Sequence, residues 1–204
     1  MDVTTTRPGG RTARVRAAVL RASGDALVEL GLHGLELADV ARRAGVGKTT
    51  VYRRWGSVPA LLTDLLADMA ATSAPRTDHG SLEADLLANA LLVQSTLADP
   101  RQGALLAAFI GAAACDPVIA DGLRRFYAAR LAEWAPCVTA AVRRGELPAG
   151  TDAEAVVAAV SAPLYYQRLA RGAGGTAAPT PDDARRAAAA AAAAARARIF
   201  TTAR

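Results

Sequence analysis

The chain has 204 residues, of which 52% are hydrophobic, 4% aromatic and 21% charged. This length and apolar content exclude bulk disorder and allow one large or two small domains with a substantial core. Because aromatic residues are few and alanine is abundant, the composition favours packed helices over a β-sandwich. We therefore predict an all-α protein.

The net charge of +5 is concentrated near the amino terminus. Residues 1–57 contain ten Lys or Arg and five Asp or Glu, whereas residues 58–204 contain fourteen of each kind. A basic module followed by a neutral one is typical of a protein in which only the first module meets a polyanion. We expect domains at 1–57 and 58–204.

The first module is predicted to contain a flexible arm at residues 1–10 and three helices at about 11–30, 37–44 and 48–54. Gly31 and Gly34 are expected to end the first helix, and Gly45 the second. Apolar residues at i, i+3, i+4 and i+7 mark one face of the second helix. These residues are Leu37, Val40, Ala41 and Ala44.

The second module is predicted to begin with a connecting helix at 58–71 and a linker at 72–81. Helix starts are then indicated by N-cap residues before proline or acidic positions, at Asp99, Asp116, Thr151 and Thr180. Pro136 and Pro163 fall inside helices, where kinks are expected. Five helices follow the linker, about nine in all, at about 82–98, 101–114, 117–144, 152–171 and 181–199.

The turn after the second helix reads Gly-Val-Gly-Lys-Thr-Thr and invites comparison with a phosphate-binding loop. That loop requires a glycine five residues before Gly47, where this chain has Arg42, and it must follow a β-strand. The helical periodicity of the preceding segment argues against the strand. We therefore disfavour a nucleotide hydrolase, and expect no enzyme and no cofactor.

A helix-turn-helix accounts for the same residues, because the start of its second helix enters the major groove of DNA. Lys48, Thr49 and Thr50 are then candidates for contacts to base edges. Tyr52 and Arg54 are better placed for phosphates, and Arg53 for either. Val51 and Trp55, four residues apart, are expected to pack inward. The predicted DNA-binding set is Gly47, Lys48, Thr49, Thr50, Tyr52, Arg53 and Arg54.

Over residues 11–66 the chain resembles the tetracycline-repressor (TetR) family of transcriptional regulators. The shared pattern stands here as Val40-Ala41, Ala44-Gly45-Val46, Val51-Tyr52 and Trp55. Residues 143–169 are similar to one carboxy-terminal subgroup. The family usually caps the second helix with Ser or Thr, where this chain has Glu36. It also places a phosphate-binding lysine where this chain has Val58, a loss for which Arg7, Arg11 and Arg14 are candidate replacements.

The resemblance implies a sequence-specific DNA-binding regulator, a homodimeric repressor that a small effector releases from a palindromic operator. Dimerisation would use the helices at about 152–171 and 181–199. For an effector pocket, the few aromatic rings of the second module are the candidates, since Trp134 lies beside Pro136 and Tyr165 and Tyr166 lie beside Pro163, although the same rings equally suit core packing. No charged cluster accompanies them, which favours an apolar effector. These residues are Phe109, Phe126, Tyr127, Trp134, Tyr165 and Tyr166.

The sequence gives no indication of a metal site, a membrane span or a secretory signal. Cys115 and Cys137 are isolated, and histidines do not cluster, so no metal site is predicted. Apolar runs fall short of the roughly 20 residues that span a bilayer, and the amino terminus resembles no secretory signal. We expect a cytoplasmic protein without a membrane partner. A DNA-binding regulator without a small ligand, gated by another protein or constitutive, remains the alternative.

Overall fold

The computed structural model describes residues 9–73, 78–171 and 178–201, and these residues form nine α-helices and one π-helical turn. Within those ranges the β-structure amounts to one antiparallel bridge between Thr151 and Thr201. The predicted all-α fold is confirmed. The helices are α1 (Gly9–Gly34), α2 (Leu37–Arg43), α3 (Lys48–Trp55), α4 (Val58–Ala71), α5 (Leu82–Ala98), α6 (Pro100–Ala113), α7 (Pro117–Arg143), α8 (Ala153–Tyr166) and α9 (Pro181–Arg196), with the π turn at Gln167–Arg171.

Helix α1 begins earlier than predicted, because Gly9 and Gly10 are already helical. The rest of the predicted arm, residues 1–8, lies outside the described residues. At the other end Gly31 has φ 67° and ψ 178°, a conformation that interrupts the helix and that glycine adopts without steric cost. The predicted end at Gly31 is therefore confirmed, and one further turn carries the chain to Gly34.

The chain divides into two compact units, and the first contains the described residues 9–72 and 108–124. In it α1 packs on α2 and α4, and α3 packs on α2 and α4. Its core is made largely of aliphatic side chains, including Leu20, Leu27, Val40, Val51, Leu61, Leu62, Leu66 and Ile119, all at most 2% exposed. Gly122 at the start of α7 lies so close to α4 that an added Cβ would stand 3.2 Å from Thr63 Oγ1.

The second unit contains the rest of the described chain, and its core is a three-helix arrangement of α5, α8 and α9. Valines and leucines of α5 and α8 meet a face of α9 made only of alanine. Because alanine has a single methyl group, this face allows the helices to approach closely. The buried alanines of α9 are Ala184, Ala187, Ala188, Ala191, Ala192 and Ala195.

Several caps are confirmed. Asp99 accepts from the amides of Arg101 and Gln102, Asp116 accepts from Val118 and Ile119, and Thr180 forms a complete capping box with Asp183. The predicted N-cap of α8, Thr151, was wrong by one residue.

The N-cap of α8 is Asp152, whose side chain accepts from the amide of Ala155 at 3.0 Å. Thr151 instead donates to the carbonyl of Pro148 and pairs with Thr201. A second prediction was wrong as well, since α9 ends at Arg196 rather than 199, where the amide of Ile199 donates to the carbonyl of Ala194 and Arg198 has φ 65°. The chain after it turns back so that the amide of Asp152 can donate to the carbonyl of Phe200 at 2.7 Å.

The predicted boundary between domains at 57 and 58 stays a prediction. Compactness groups α4, the end of α6 and the start of α7 with the first three helices, but a compact unit is defined by contacts and not by function. Residues 74–77 of the predicted linker lie outside the described residues. Pro136 and Pro163 do lie inside helices, and α8 passes into its π turn four residues after Pro163.

Candidate nucleic-acid interface

The turn between α2 and α3 is fixed by backbone hydrogen bonds. The amide of Val46 donates to the carbonyl of Ala41 at 3.0 Å, and the amide of Gly45 donates to that of Arg42 at 3.2 Å. This pair of bonds is a Schellman motif, in which the residue after the C-cap takes a left-handed conformation. Gly45 holds that place with φ 66°. The turn therefore sets where α3 begins.

Helix α3 separates its side chains into a buried face and an exposed face. Val51 is fully buried and Trp55 is 9% exposed, so both pack inward as predicted. Thr50 is half-buried, and Tyr52 is 50% exposed although it is a large ring. The other predicted DNA contacts, Gly47, Lys48, Thr49, Arg53 and Arg54, are all exposed.

The arginines of α2 are bound to acidic side chains. Arg43 donates to Asp39 at 2.6 Å and to Glu29 of α1 at 2.5 Å, and Arg42 also pairs with Asp39. The hydrogen bond from Arg43, and to a smaller extent that from Arg42, holds the pKa of Asp39 below its usual range. The pKa of Glu29 is lowered likewise by Arg43. Arg43 thus holds α2 to α1, and Arg42 is paired within α2.

The basic residues of α3 differ from those of α2. Across residues 9–73, 78–171 and 178–201, neither Lys48 nor Arg53 forms an ion pair. Arg54 lies over the ring of Trp55, with its guanidinium carbon 5.1 Å from the ring centroid. Exposed cations without an ion pair, such as Lys48 and Arg53, are suited to bind phosphates, because no intramolecular ion pair must be broken first.

Asp64 of α4 connects three helices of the first unit. Arg16 of α1 donates to both of its carboxylate oxygens, at 2.8 and 3.2 Å, and Trp55 of α3 donates its Nε1–H to Oδ2 at 2.9 Å. Arg16 also reaches Asp68, one turn further along α4, at 2.5 Å. Burial raises the pKa of Asp64, but the hydrogen bonds from Arg16 and Trp55 outweigh it, and the net pKa is lowered.

Sequence reasoning missed this cluster. Its one local signal was an aspartate between Leu62 and Leu65, within the apolar run of α4.

The two departures from the family pattern are visible in the structure. Glu36 stands at the N-cap of α2 and its side chain forms no capping hydrogen bond. Val58 begins α4, and the preceding Ser57 caps that helix by accepting from the amide of Ala60 at 3.3 Å. Of the proposed replacements for the missing lysine, Arg11 and Arg14 are exposed on α1, and Arg7 lies outside the described residues.

Three of the predicted effector-pocket rings come together in the second unit. Tyr127 stands edge-on to Phe126 at 5.4 Å between centroids and to Tyr165 at 5.5 Å. Burial raises the pKa of both tyrosines, so both phenols stay neutral near pH 7. Trp134 is buried, and its Nε1–H has no hydrogen-bond partner among the described residues.

The other two rings are placed differently. Phe109 is completely buried in the core of the first unit, and Tyr166 is 67% exposed. Whether any of these six rings binds an effector stays a prediction. The described residues contain no cluster of three or more His, Cys, Asp or Glu side chains suited to a metal ion. Among the helices described, none is long and apolar enough to cross a membrane.

Comparison with known proteins decides the family. The family model of bacterial regulatory proteins of the tetR family matches residues 19–65, and that of tetracyclin repressor-like C-terminal domains matches residues 76–191. The chain belongs to the TetR family. The resemblance inferred from the helix-turn-helix is confirmed, and so is the prediction that this chain is a DNA-binding transcriptional regulator and not an enzyme.

Individual relatives and a solved structure agree with this assignment. The chain is 35% identical over 147 residues to the HTH-type transcriptional regulator AqdR of Rhodococcus erythropolis, covering 72% of this chain and 70% of the relative. It is 29% identical over 156 residues to the uncharacterised HTH-type transcriptional regulator YdeS of Bacillus subtilis, covering 76% and 78%. A TetR transcription regulator from Haloarcula marismortui shares the fold, with a TM-score of 0.68 at 17% identity over 90% of this chain and 98% of the other.

Proposed function

We propose that this chain is a homodimeric, cytoplasmic repressor that binds a palindromic operator and leaves it when a small, largely apolar effector binds. The observation that carries the DNA-binding part is the exposed face of α3, where Lys48 and Arg53 lack acidic partners among the described residues. The dimer part is supported by exposed apolar residues of α8 and α9, and the effector part by aromatic rings and a buried indole of the second unit.

The DNA-binding surface is tested by the salt dependence of binding. Each phosphate that the protein neutralises contributes about −0.9 to the slope of log affinity against log salt. We expect a steep negative slope for a duplex selected by the protein from a random library. Replacing Arg54 with Gln is expected to flatten the slope by about one unit, because a phosphate contact is lost. A slope near zero for the unaltered protein contradicts the proposal.

Base contacts and phosphate contacts are separated by two further substitutions. Thr49→Ala is expected to relax base preference at one position of the operator, because Thr49 is assigned to a base edge. Tyr52→Phe removes only a hydroxyl and is expected to weaken binding to all DNA sequences to a similar extent. Binding measured against operator variants distinguishes these patterns, and the opposite result reverses the assignment.

A homodimer through α8 and α9 is supported by apolar surface that a single chain leaves uncovered. Tyr166 and Leu169, at and just beyond the end of α8, are 67% and 39% exposed. On α9, Ala189, Ala190 and Ala193 are exposed beside the buried alanine face. Twofold symmetry would place the two copies of α3 roughly 34–36 Å apart, the spacing of successive major grooves. A palindromic operator follows from that symmetry.

The effector part is supported by the rings Phe126, Tyr127 and Tyr165 and by the buried indole N–H of Trp134. A buried donor without a partner is uncommon in folded proteins, and a ligand with a hydrogen-bond acceptor would satisfy it. Such a ligand would release DNA by binding more tightly to a conformation in which the recognition helices do not fit successive grooves.

The alternative, a regulator without a small ligand, is separated from the proposal by thermal unfolding against a panel of aromatic and aliphatic compounds. A ligand present at 100 times its Kd raises the free energy of unfolding by about 2.7 kcal/mol. A compound that raises the melting temperature and also weakens DNA binding supports an effector. Absence of any shift across the panel favours the alternative.

A further inference from the structure

We propose that Asp64 is a positioning residue for DNA binding, which acts through Trp55 to hold α3, and with it Arg54, in the orientation that fits the groove. This inference rests on the proposed DNA-binding role of α3. It is motivated by one carboxylate that accepts hydrogen bonds from side chains of two other helices, Arg16 of α1 and Trp55 of α3.

The geometry of Trp55 makes it the connection between Asp64 and the exposed face of α3. One atom of its ring, Nε1, donates to Asp64 at 2.9 Å. One face of the same ring lies against the guanidinium of Arg54, whose central carbon is 5.1 Å from the centroid. The hydrogen bond fixes the rotation of the ring, and the cation–π contact then fixes where the guanidinium of Arg54 stands.

Trp55 is the last residue of α3, so its anchor acts at the end of the helix opposite to the turn. The Schellman turn at Gly45 fixes the beginning of α3. An eight-residue helix is too short to be stable by itself, and its direction therefore depends on tertiary contacts. Fixing both ends sets the angle of the helix, and Asp64 supplies the polar contact at the second end.

Asp68 provides a matched control on the same helix. It binds the same Arg16, and its side chain is 34% exposed against 29% for Asp64. The hydrogen bond from the Trp55 indole, however, goes to Asp64. A loss of the ion pair with α1 is thus common to Asp64→Ala and Asp68→Ala, whereas only Asp64→Ala also leaves the buried indole N–H without its acceptor.

The test measures binding to a duplex that the unaltered protein selects from a random library, together with hydrogen exchange of the α3 amides in the absence of DNA. We expect Asp64→Ala to weaken binding about tenfold and to accelerate exchange in α3. We expect Asp68→Ala to stay within about twofold of the unaltered protein, with unchanged exchange in α3. Equal losses for the two variants, or unchanged exchange in Asp64→Ala, overturn the proposal.

A double-mutant cycle provides a second test that a general loss of stability does not imitate. Trp55→Phe keeps an aromatic ring, although a smaller one, and removes the N–H, so it is expected to weaken binding several-fold by itself and little further in the Asp64→Ala background. In the Asp68→Ala background its effect is expected to remain. Additive effects of Trp55→Phe and Asp64→Ala contradict the proposal.

Two experimental failures, a variant that does not fold and a protein that selects no DNA, can be distinguished from a failure of this proposal. If Asp64→Ala does not fold, Trp55→Phe decides alone, by the exchange of α3 and by binding. If the unaltered protein selects no DNA, the proposed function fails, and exchange in α3 still decides whether Asp64 holds that helix.

Discussion

Replacing Gly47 with alanine tests whether DNA lies close to the backbone at this position, because the substitution should change DNA affinity much more than it changes the stability of the fold. Gly47 is the N-cap of α3 and has φ −64° and ψ 134°, which alanine adopts without strain. A methyl group added there would find Thr50 Oγ1 as its nearest heavy atom, at 3.9 Å, which is ordinary contact. Neither the backbone conformation nor the available space therefore requires glycine at this position.

The expected effect on stability is small. Alanine is a poorer N-cap than glycine by some tenths of a kcal/mol, and it reduces the entropy of the unfolded chain by a similar amount. We expect the free energy of unfolding of Gly47→Ala to stay within about 0.5 kcal/mol of the parent. The expected effect on DNA is larger. If the backbone at Gly47 lies against DNA, the methyl group must displace a contact, and affinity falls about tenfold.

Gly45→Ala is the matched control, two residues earlier in the same turn. Its Cβ would meet nothing within 4 Å, but φ is 66°, so the cost is purely conformational. A left-handed conformation costs alanine about 1–2 kcal/mol, which lowers the melting temperature by roughly 2–4 °C per kcal/mol in a chain of this size. Thermal unfolding and fluorescence anisotropy with a labelled duplex measure both quantities. Full DNA affinity in Gly47→Ala, or a melting temperature lowered as in Gly45→Ala, refutes the reasoning.

Three further predictions concern capping, pH and assembly. Thr180→Ala removes a capping-box hydroxyl and should lower the free energy of unfolding by about 1 kcal/mol, which urea denaturation measures; an unchanged midpoint contradicts this. The pKa of Asp64 is lowered in the folded state, so its stabilising contribution is present above the unfolded pKa of about 3.9 and is lost as pH falls through the folded pKa. Melting between pH 6 and 2 should accordingly show a smaller decline in Asp64→Asn than in the parent, and identical declines refute the assignment. Ala190→Arg places a charge on the exposed face of α9 and should give monomers in light scattering, whereas a persisting dimer removes α9 from the interface.

The elements that could be predicted from sequence are those with local causes. The Schellman turn needs a glycine at one position, and the capping box needs Thr180 and Asp183 three residues apart. Both signals lie within one helical turn and both were found in the structure. The inward packing of Val51 and Trp55 follows from their spacing of four, for the same reason.

The elements that were mispredicted have distant causes. Thr151 and Asp152 are both competent N-caps, and the choice between them follows from the pairing of Thr151 with Thr201 fifty residues away. Asp64 and Arg16 are 48 residues apart, and no periodicity relates them. Local patterns carry no information about contacts of this kind.

The pairing of charges is more informative about the DNA-binding surface than the net charge of the first module. Arg16 and Arg43 are both basic residues of that module, and both are bound to acids that hold helices together. They contribute to the formal charge but not to the free cationic surface. Lys48 and Arg53 make no ion pair within the described residues, and both are exposed on α3. Part of the cationic charge that is free to meet a polyanion therefore lies on α3, the helix that enters the major groove in a helix-turn-helix.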